Sequence, residues 1–179
     1  MKTLFKNLAF GFLFLSIIPV ASAQTYKEND DNTDGEQVVV QGQKISPEML
    51  ANLGIVGTPN PRNATVEGNS IFIRQIGDFN TASIRTATNA SEINLFQNGN
   101  SNDTQLDYLA NTAIADLVQN GNNNRIKDFV NAPNEDISLD LTQNGNNLNF
   151  ERNGVNELTK SLRFKQTEAS PTIIVRSYF

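Results

Sequence analysis

The sequence predicts an all-β fold, a β-solenoid of about five strand–turn–strand rungs whose strands form two facing parallel sheets in cross-β geometry. Three observations predict it. Five glutamines, Gln75, Gln97, Gln119, Gln143 and Gln166, recur at spacings of 22, 22, 24 and 23 residues, and self-similarity at a fixed period of this length marks stacked repeats. The residues four and two before each glutamine are all apolar: Ile71/Ile73, Ile93/Leu95, Ala115/Leu117, Leu139/Leu141 and Leu162/Phe164. A period of two puts them on one face of a strand. After the glutamines come Gly77, Gly99, Gly121 and Gly145, then Asn80, Asn102 and Asn124, residue types that tolerate positive φ and reverse the chain.

Taken in order, residues 1–23 carry Lys2 and Lys6, an apolar run over 8–20 and then Ala21-Ser22-Ala23, the pattern of a secretory signal peptide. The mature chain is expected to start near Gln24, secreted and without a membrane span, and no cysteine follows to carry a lipid. Residues 24–68 form a separate N-terminal segment, related to export and largely disordered. Residues 26–36 are acidic and lack an apolar period, which predicts disorder. Val38-Val39-Val40 reads as a short strand, and Ser46-Pro47-Glu48 caps a short helix over 46–54. Thr58-Pro59-Asn60-Pro61 reads as a linker.

The repeats run near 69–90, 91–112, 113–136, 137–159 and 160–179. The fourth places Leu148 where the others have Asn, and the fifth loses both Gly and Asn. A returning strand is expected at Ala82/Ile84, Thr104/Leu106/Tyr108 and Ile173/Val175. The third and fourth copies look less regular there, because Asp128 and Arg152 fall at inward positions; a bulge or slip is the expected accommodation. The two extra residues between Gln119 and Gln143 fit a loop at Pro133.

A lone rung cannot bury its inner face, but a stack of rungs can. At about 4.8 Å between rungs, each glutamine sits over the next. A primary amide both donates and accepts, so the column can hydrogen-bond along the stack. The outermost rungs then leave unpaired backbone groups, templates for a further chain, and the apolar last strand Ile173-Ile174-Val175 predicts an open end. Asp116, Asp140 and Arg163 form an outward column, read either as a control on stacking, with Asp116 repelling Asp140 and Asp140 pairing with Arg163, or, the preferred reading, as an ordinary solvated face. Phe72 and Phe96, also outward, are candidates for a lateral patch or a stacked pair.

Composition excludes several function classes. The chain has no Cys, His or Trp, which removes disulfides, the usual zinc and copper ligands and the usual neutral-pH base. The net charge is −5, and −7 once Lys2 and Lys6 leave with the signal; this argues against nucleic acid as a partner. No metal or cofactor is expected. The 19 acidic residues do not pair at inward positions on adjacent regular strands, so no catalytic residue is assigned and the chain reads as a non-enzyme.

The pattern S-x5-Q-x-G-x2-N-x-A, seen best at Asn69…Gln75-Ile76-Gly77-Asp78-Phe79-Asn80-Thr81-Ala82 and Ser91…Gln97-Asn98-Gly99-Asn100-Ser101-Asn102, resembles the curlin repeat over residues 69–179. The resemblance implies a subunit of an extracellular curli amyloid fibre used in adhesion and biofilm. It also implies as partners further copies of itself, a companion curlin subunit and the outer-membrane curli secretion machinery. The second glutamine of that repeat is replaced here by Thr86, Tyr108, Val130, Gly154 and Ser177. Major and minor (nucleating) subunit roles both stay open. The rival reading is a monomeric β-solenoid, its ends capped, acting as a surface adhesin or ligand-binding protein.

Overall fold

The computed structural model describes residues 38–40, 43–52 and 54–177; the expected signal peptide over 1–23 and the acidic segment 26–36 lie outside them. The fold is all-β, a solenoid of five stacked rungs. Strands β3 (Asn69–Ile76), β4 (Thr88–Asn98), β5 (Ala110–Asn120), β6 (Ala132–Asn144) and β8 (Ser161–Thr167) form one parallel sheet in the order β3-β4-β5-β6-β8. Its register aligns Gln75, Gln97, Gln119, Gln143 and Gln166 as successive neighbours. Alternation drives this pairing: in β4, Ile93, Leu95 and Gln97 point inward and are at most 1 % exposed, while Asn94 and Phe96 between them are only part-buried.

The second layer is less regular. Strand β7 (Asn149–Arg152) pairs in parallel with β9 (Thr172–Val175). Above them the returning segments pair at isolated bridges, Gln105 to Lys127 and Arg125 to Asn149, and through further backbone hydrogen bonds such as Tyr108 to Phe129 and Val130 to Asn153. Irregularity was expected in the third and fourth copies; it falls in the second and third. Residues 105–109 and 127–131 run at positive φ, a backbone region that costs non-glycine residues energy, whereas the fourth return is the regular strand β7. The two extra residues sit at Pro133, as a register shift within β6 rather than a free loop: Ala110 faces Ala132, but Thr112 faces Asp136. A bulge is where a strand accommodates proline.

The core runs down the middle of the stack through Ile93, Leu95, Leu106, Ala115, Leu117, Ile126, Leu139, Leu141 and Phe150. It closes at Leu162 and Phe164, the latter tilted 60° against Phe150 with ring centroids 5.1 Å apart. Ile71 and Ile73, expected inward with the others, remain 48 % and 43 % exposed. Among the described residues no strand lies beyond β3, at the sheet edge, to cover them.

Residues 46–66 depart from the expected disordered head, since they pack on the solenoid. Strands β1 (Val38–Val40) and β2 (Gln43–Ile45) form a small antiparallel pair. Helix α1 (Pro47–Asn52) follows, with the Met49 amide donating to Ser46 Oγ at 3.3 Å. It ends where Gly54 adopts φ +71° and the Ile55 amide donates to the Leu50 carbonyl, a left-handed closure suited to glycine. Leu50 and Ile55 are buried in the solenoid's apolar cluster. The 3-10 turn Pro61–Ala64, capped by Asn60, then lies on the outer face of the five-stranded sheet.

Candidate functional site

The site is the glutamine column with its two ends. Each Nε2 donates to the next Oε1 along the chain: Gln75 to Gln97 at 2.6 Å, Gln97 to Gln119 at 2.8 Å, then Gln119 to Gln143 and Gln143 to Gln166 at 2.9 Å. The amides also donate to carbonyls of the returning chain, at Thr81, Asp103, Arg125 and Asn149. Gln97, Gln119, Gln143 and Gln166 are fully buried, and among the described residues no buried side-chain nitrogen or oxygen lacks a partner. A buried amide left unpaired would cost about 1–3 kcal/mol, so the column holds one register and penalises others.

Two asparagine ladders flank it. Asn80, Asn102 and Asn124 each accept, through Oδ1, the amide of the residue one rung on: Asn102, Asn124 and Leu148. Their Nδ2 groups donate to the carbonyls of Gly99, Gly121 and Gly145. Leu148 can stand in the asparagine position because its backbone amide completes the ladder. The second series was missed from sequence: Asn100, Asn122, Asn146 and finally Glu168 accept the amides of Asp78, Asn100, Asn122 and Asn146. Its signal was present, as an asparagine three after the glutamine in copies two to four. The glycines between the ladders are required by closeness. A Cβ on Gly77, Gly99 or Gly121 would lie closer than 3.0 Å to the carbonyl group of the next glycine, and a Cβ on Gly145 equally close to the Glu168 side chain.

Asp128 sits in the irregular stretch of the third copy, as expected, whereas Arg152 lies in the regular strand β7 with no slip. They stand on neighbouring rungs, both fully buried, and Arg152 grips Asp128 with Nε at 2.7 Å and Nη2 at 2.9 Å. Arg152 Nη1 reaches the carbonyls of Ser138 and Thr159, and Tyr108 donates its hydroxyl to Asp128. Burial, with the Asp128 charge beside it, pushes the Tyr108 phenol well above its ordinary range, so it stays neutral as a donor.

On the outer face, the register sets Asp116 beside Asp140 and Asp140 beside Arg163. Arg163 pairs with Asp140 at 2.9 Å. Arg62 of the 3-10 turn pairs with both Asp116 and Glu92, and Asn63 donates to Thr112 and to the Ile137 carbonyl. This strap went unseen in the sequence. Phe72 and Phe96 do not stack on each other: Phe72 aligns with Asn94, and the Arg74 guanidinium lies 5.3 Å from the Phe96 ring centre.

The ends differ. At rung 1, strand β3 is exposed along its whole length, Phe79 is 85 % exposed, and Gln75 Oε1 receives no hydrogen bond among the described residues. At rung 5 the spare Gln166 donor turns to the carbonyls of Ser170 and Pro171, each at 3.0 Å. The outer edge of β8 carries Val56, paired antiparallel with Arg163, so the expected open C-terminal end is covered on this sheet; on the other layer Ile174 of β9 remains 41 % exposed. Among the described residues no three acidic side chains gather as a metal ion would require, and no helix is long and apolar enough to cross a membrane. No protein-family model, curated protein or solved structure matches the chain.

Proposed function

We propose that this chain is a secreted structural subunit of a curli-type extracellular amyloid fibre, joining further copies by rung stacking to support adhesion and a biofilm matrix. One observation carries the reading: the buried glutamine ladder stops at rung 1 with an acceptor unused, on a strand whose backbone edge and apolar side chains are uncovered. Such an edge templates another strand. The role is structural rather than catalytic. A companion curlin subunit and the curli secretion machinery belong to the proposal through the repeat pattern of residues 69–179, and a nucleating role remains within it.

The test is incubation of the mature chain. Thioflavin-positive fibres with a cross-β reflection near about 4.8 Å are expected. The second reading, a monomeric solenoid displayed at the cell surface, is favoured by the Val56 pairing that covers the β8 edge. A chain still monomeric after long incubation at high concentration selects it.

A further inference from the structure

The edge of β8 is the place where a sixth rung would sit, and the chain's own N-terminal segment occupies it. The Val56 amide donates to the Arg163 carbonyl at 2.9 Å and the Arg163 amide donates back to Val56 at 2.8 Å. Ile55 and Leu50, 4 % and 6 % exposed, join the apolar cluster that holds Leu162 and Phe164. Gly57 lies so close to the Leu158 carbonyl, 2.9 Å from where a Cβ would stand, that no side chain fits without movement. Residues 55–57 and Leu50 therefore form a plug.

We propose that this plug is removable, and that the edge beneath it receives β3 of a second copy. The proposal rests on the polymerising reading above and adds its control. The second copy is the occupant that the two ends specify. Continuing the register of the sheet, its β3 would set Gln75 against Gln166, Ile71 against Leu162 and Ile73 against Phe164. The Gln75 Oε1 acceptor without a donor would meet the Gln166 donor now turned to Ser170 and Pro171, and the half-exposed Ile71 and Ile73 would be buried. The plug holds the edge at one paired position; β6 holds the other edge of β8 at seven, Ser138 to Asn144. A docking β3 can offer a comparable ladder, so it can displace the plug once the plug lifts. One adverse contact remains: Arg74 would stand beside Lys165, and like charges directly opposed resist pairing.

The experiment uses the mature full-length chain. Val56→Pro removes the amide that donates to Arg163, and the double variant Leu50→Asp with Ile55→Asp strips the plug's apolar anchors. A third form, Val56→Cys with Arg163→Cys, locks the plug by a disulfide in a chain that otherwise has no cysteine. Seeded with wild-type fibres, the two loosened variants are expected to shorten the lag at least about tenfold, and the oxidised locked form to stay inert until reduced. Amide exchange on the monomers checks that the fold survives: Arg163 should exchange faster in Val56→Pro, while Gln119 stays protected. If the wild type forms fibres but loosened variants match its lag, or the oxidised form elongates at the wild-type rate, the plug proposal fails and the polymerising reading stands. If no form makes fibres, both fail.

Discussion

At the scale of single residues, the amides differ in how much rests on them. Gln119 accepts from Gln97 and Thr104 and donates to Gln143 and to the Asp103 carbonyl. Gln119→Ala leaves several of these groups buried without a partner, and each costs about 1–3 kcal/mol. Asn94 is outward and part-buried, bonded to Glu92 and Asp116, and Asn94→Ala should cost under about 1 kcal/mol. Denaturation midpoints of soluble monomer should rank the two changes in that order, and fibre formation by Gln97→Ala and Gln119→Ala should be slower than by Asn94→Ala. Equal midpoints would mean that the column contributes nothing to register. The glutamine and glycine positions were legible because both the repeat and its turn chemistry are local. The copies align on their spacing alone, and Gly77, Gly99 and Gly121 each face the carbonyl of the glycine one rung on. Gln75, though legible as a column member, is exposed because its exposure depends on what lies beyond the chain's first rung.

At the scale of elements, the returning layer buries one ion pair, Asp128 with Arg152. Asp128 and Arg152 each stand nine residues after their repeat's glutamine, so their stacking could have been read from the same register that aligned the glutamines. Taken singly, each looked like a fault in an apolar pattern; together, with Tyr108 and the Ser138 and Thr159 carbonyls, they form one satisfied cluster. Breaking one side is severe. Asp128→Ala should destabilise by about 3–5 kcal/mol, because it leaves the guanidinium buried without its carboxylate. Replacing both, as Asp128→Leu with Arg152→Leu, should recover part of that loss, since it removes the unpaired guanidinium while the Tyr108 hydroxyl and the Ser138 and Thr159 carbonyls lose these partners. Urea midpoints of the three proteins decide this, and a double variant as weak as the single would show that the pair does more than satisfy itself. The strap and plug were illegible for another reason. Leu50, Ile55, Arg62 and Asn63 belong to no repeat, so no register links them to the rungs they touch, and a polar stretch with two prolines reads as linker from its composition.

At the scale of the whole molecule, the solenoid is a line of nearest neighbours, and stability in such a line follows each rung's contacts. Rung 1 has a neighbour on one side and an exposed strand; rungs 2 to 4 carry the fully buried core; rung 5 is joined to rung 4 by the Phe150–Phe164 contact and covered at Arg163 by Val56. Amide exchange of the monomer should follow this gradient, with the amides of β3 that point away from β4 exchanging first and those of β5 last. Uniform protection across all rungs would contradict a linear stack. The all-β class and five-rung count were legible from period and alternation, while the unequal state of the two ends was not, because it depends on where residues outside the repeats come to rest.

The glutamine ladder has a consequence for symmetry. Every amide in it points the same way, so the stack is an arrow with an acceptor at its tail. Two tails brought together would oppose carbonyl oxygen to carbonyl oxygen, so the ladder cannot continue across a twofold axis at that face. A contact that continues the ladder is head-to-tail, and where its rotation does not close into a ring such a contact produces an open filament with two chemically distinct tips.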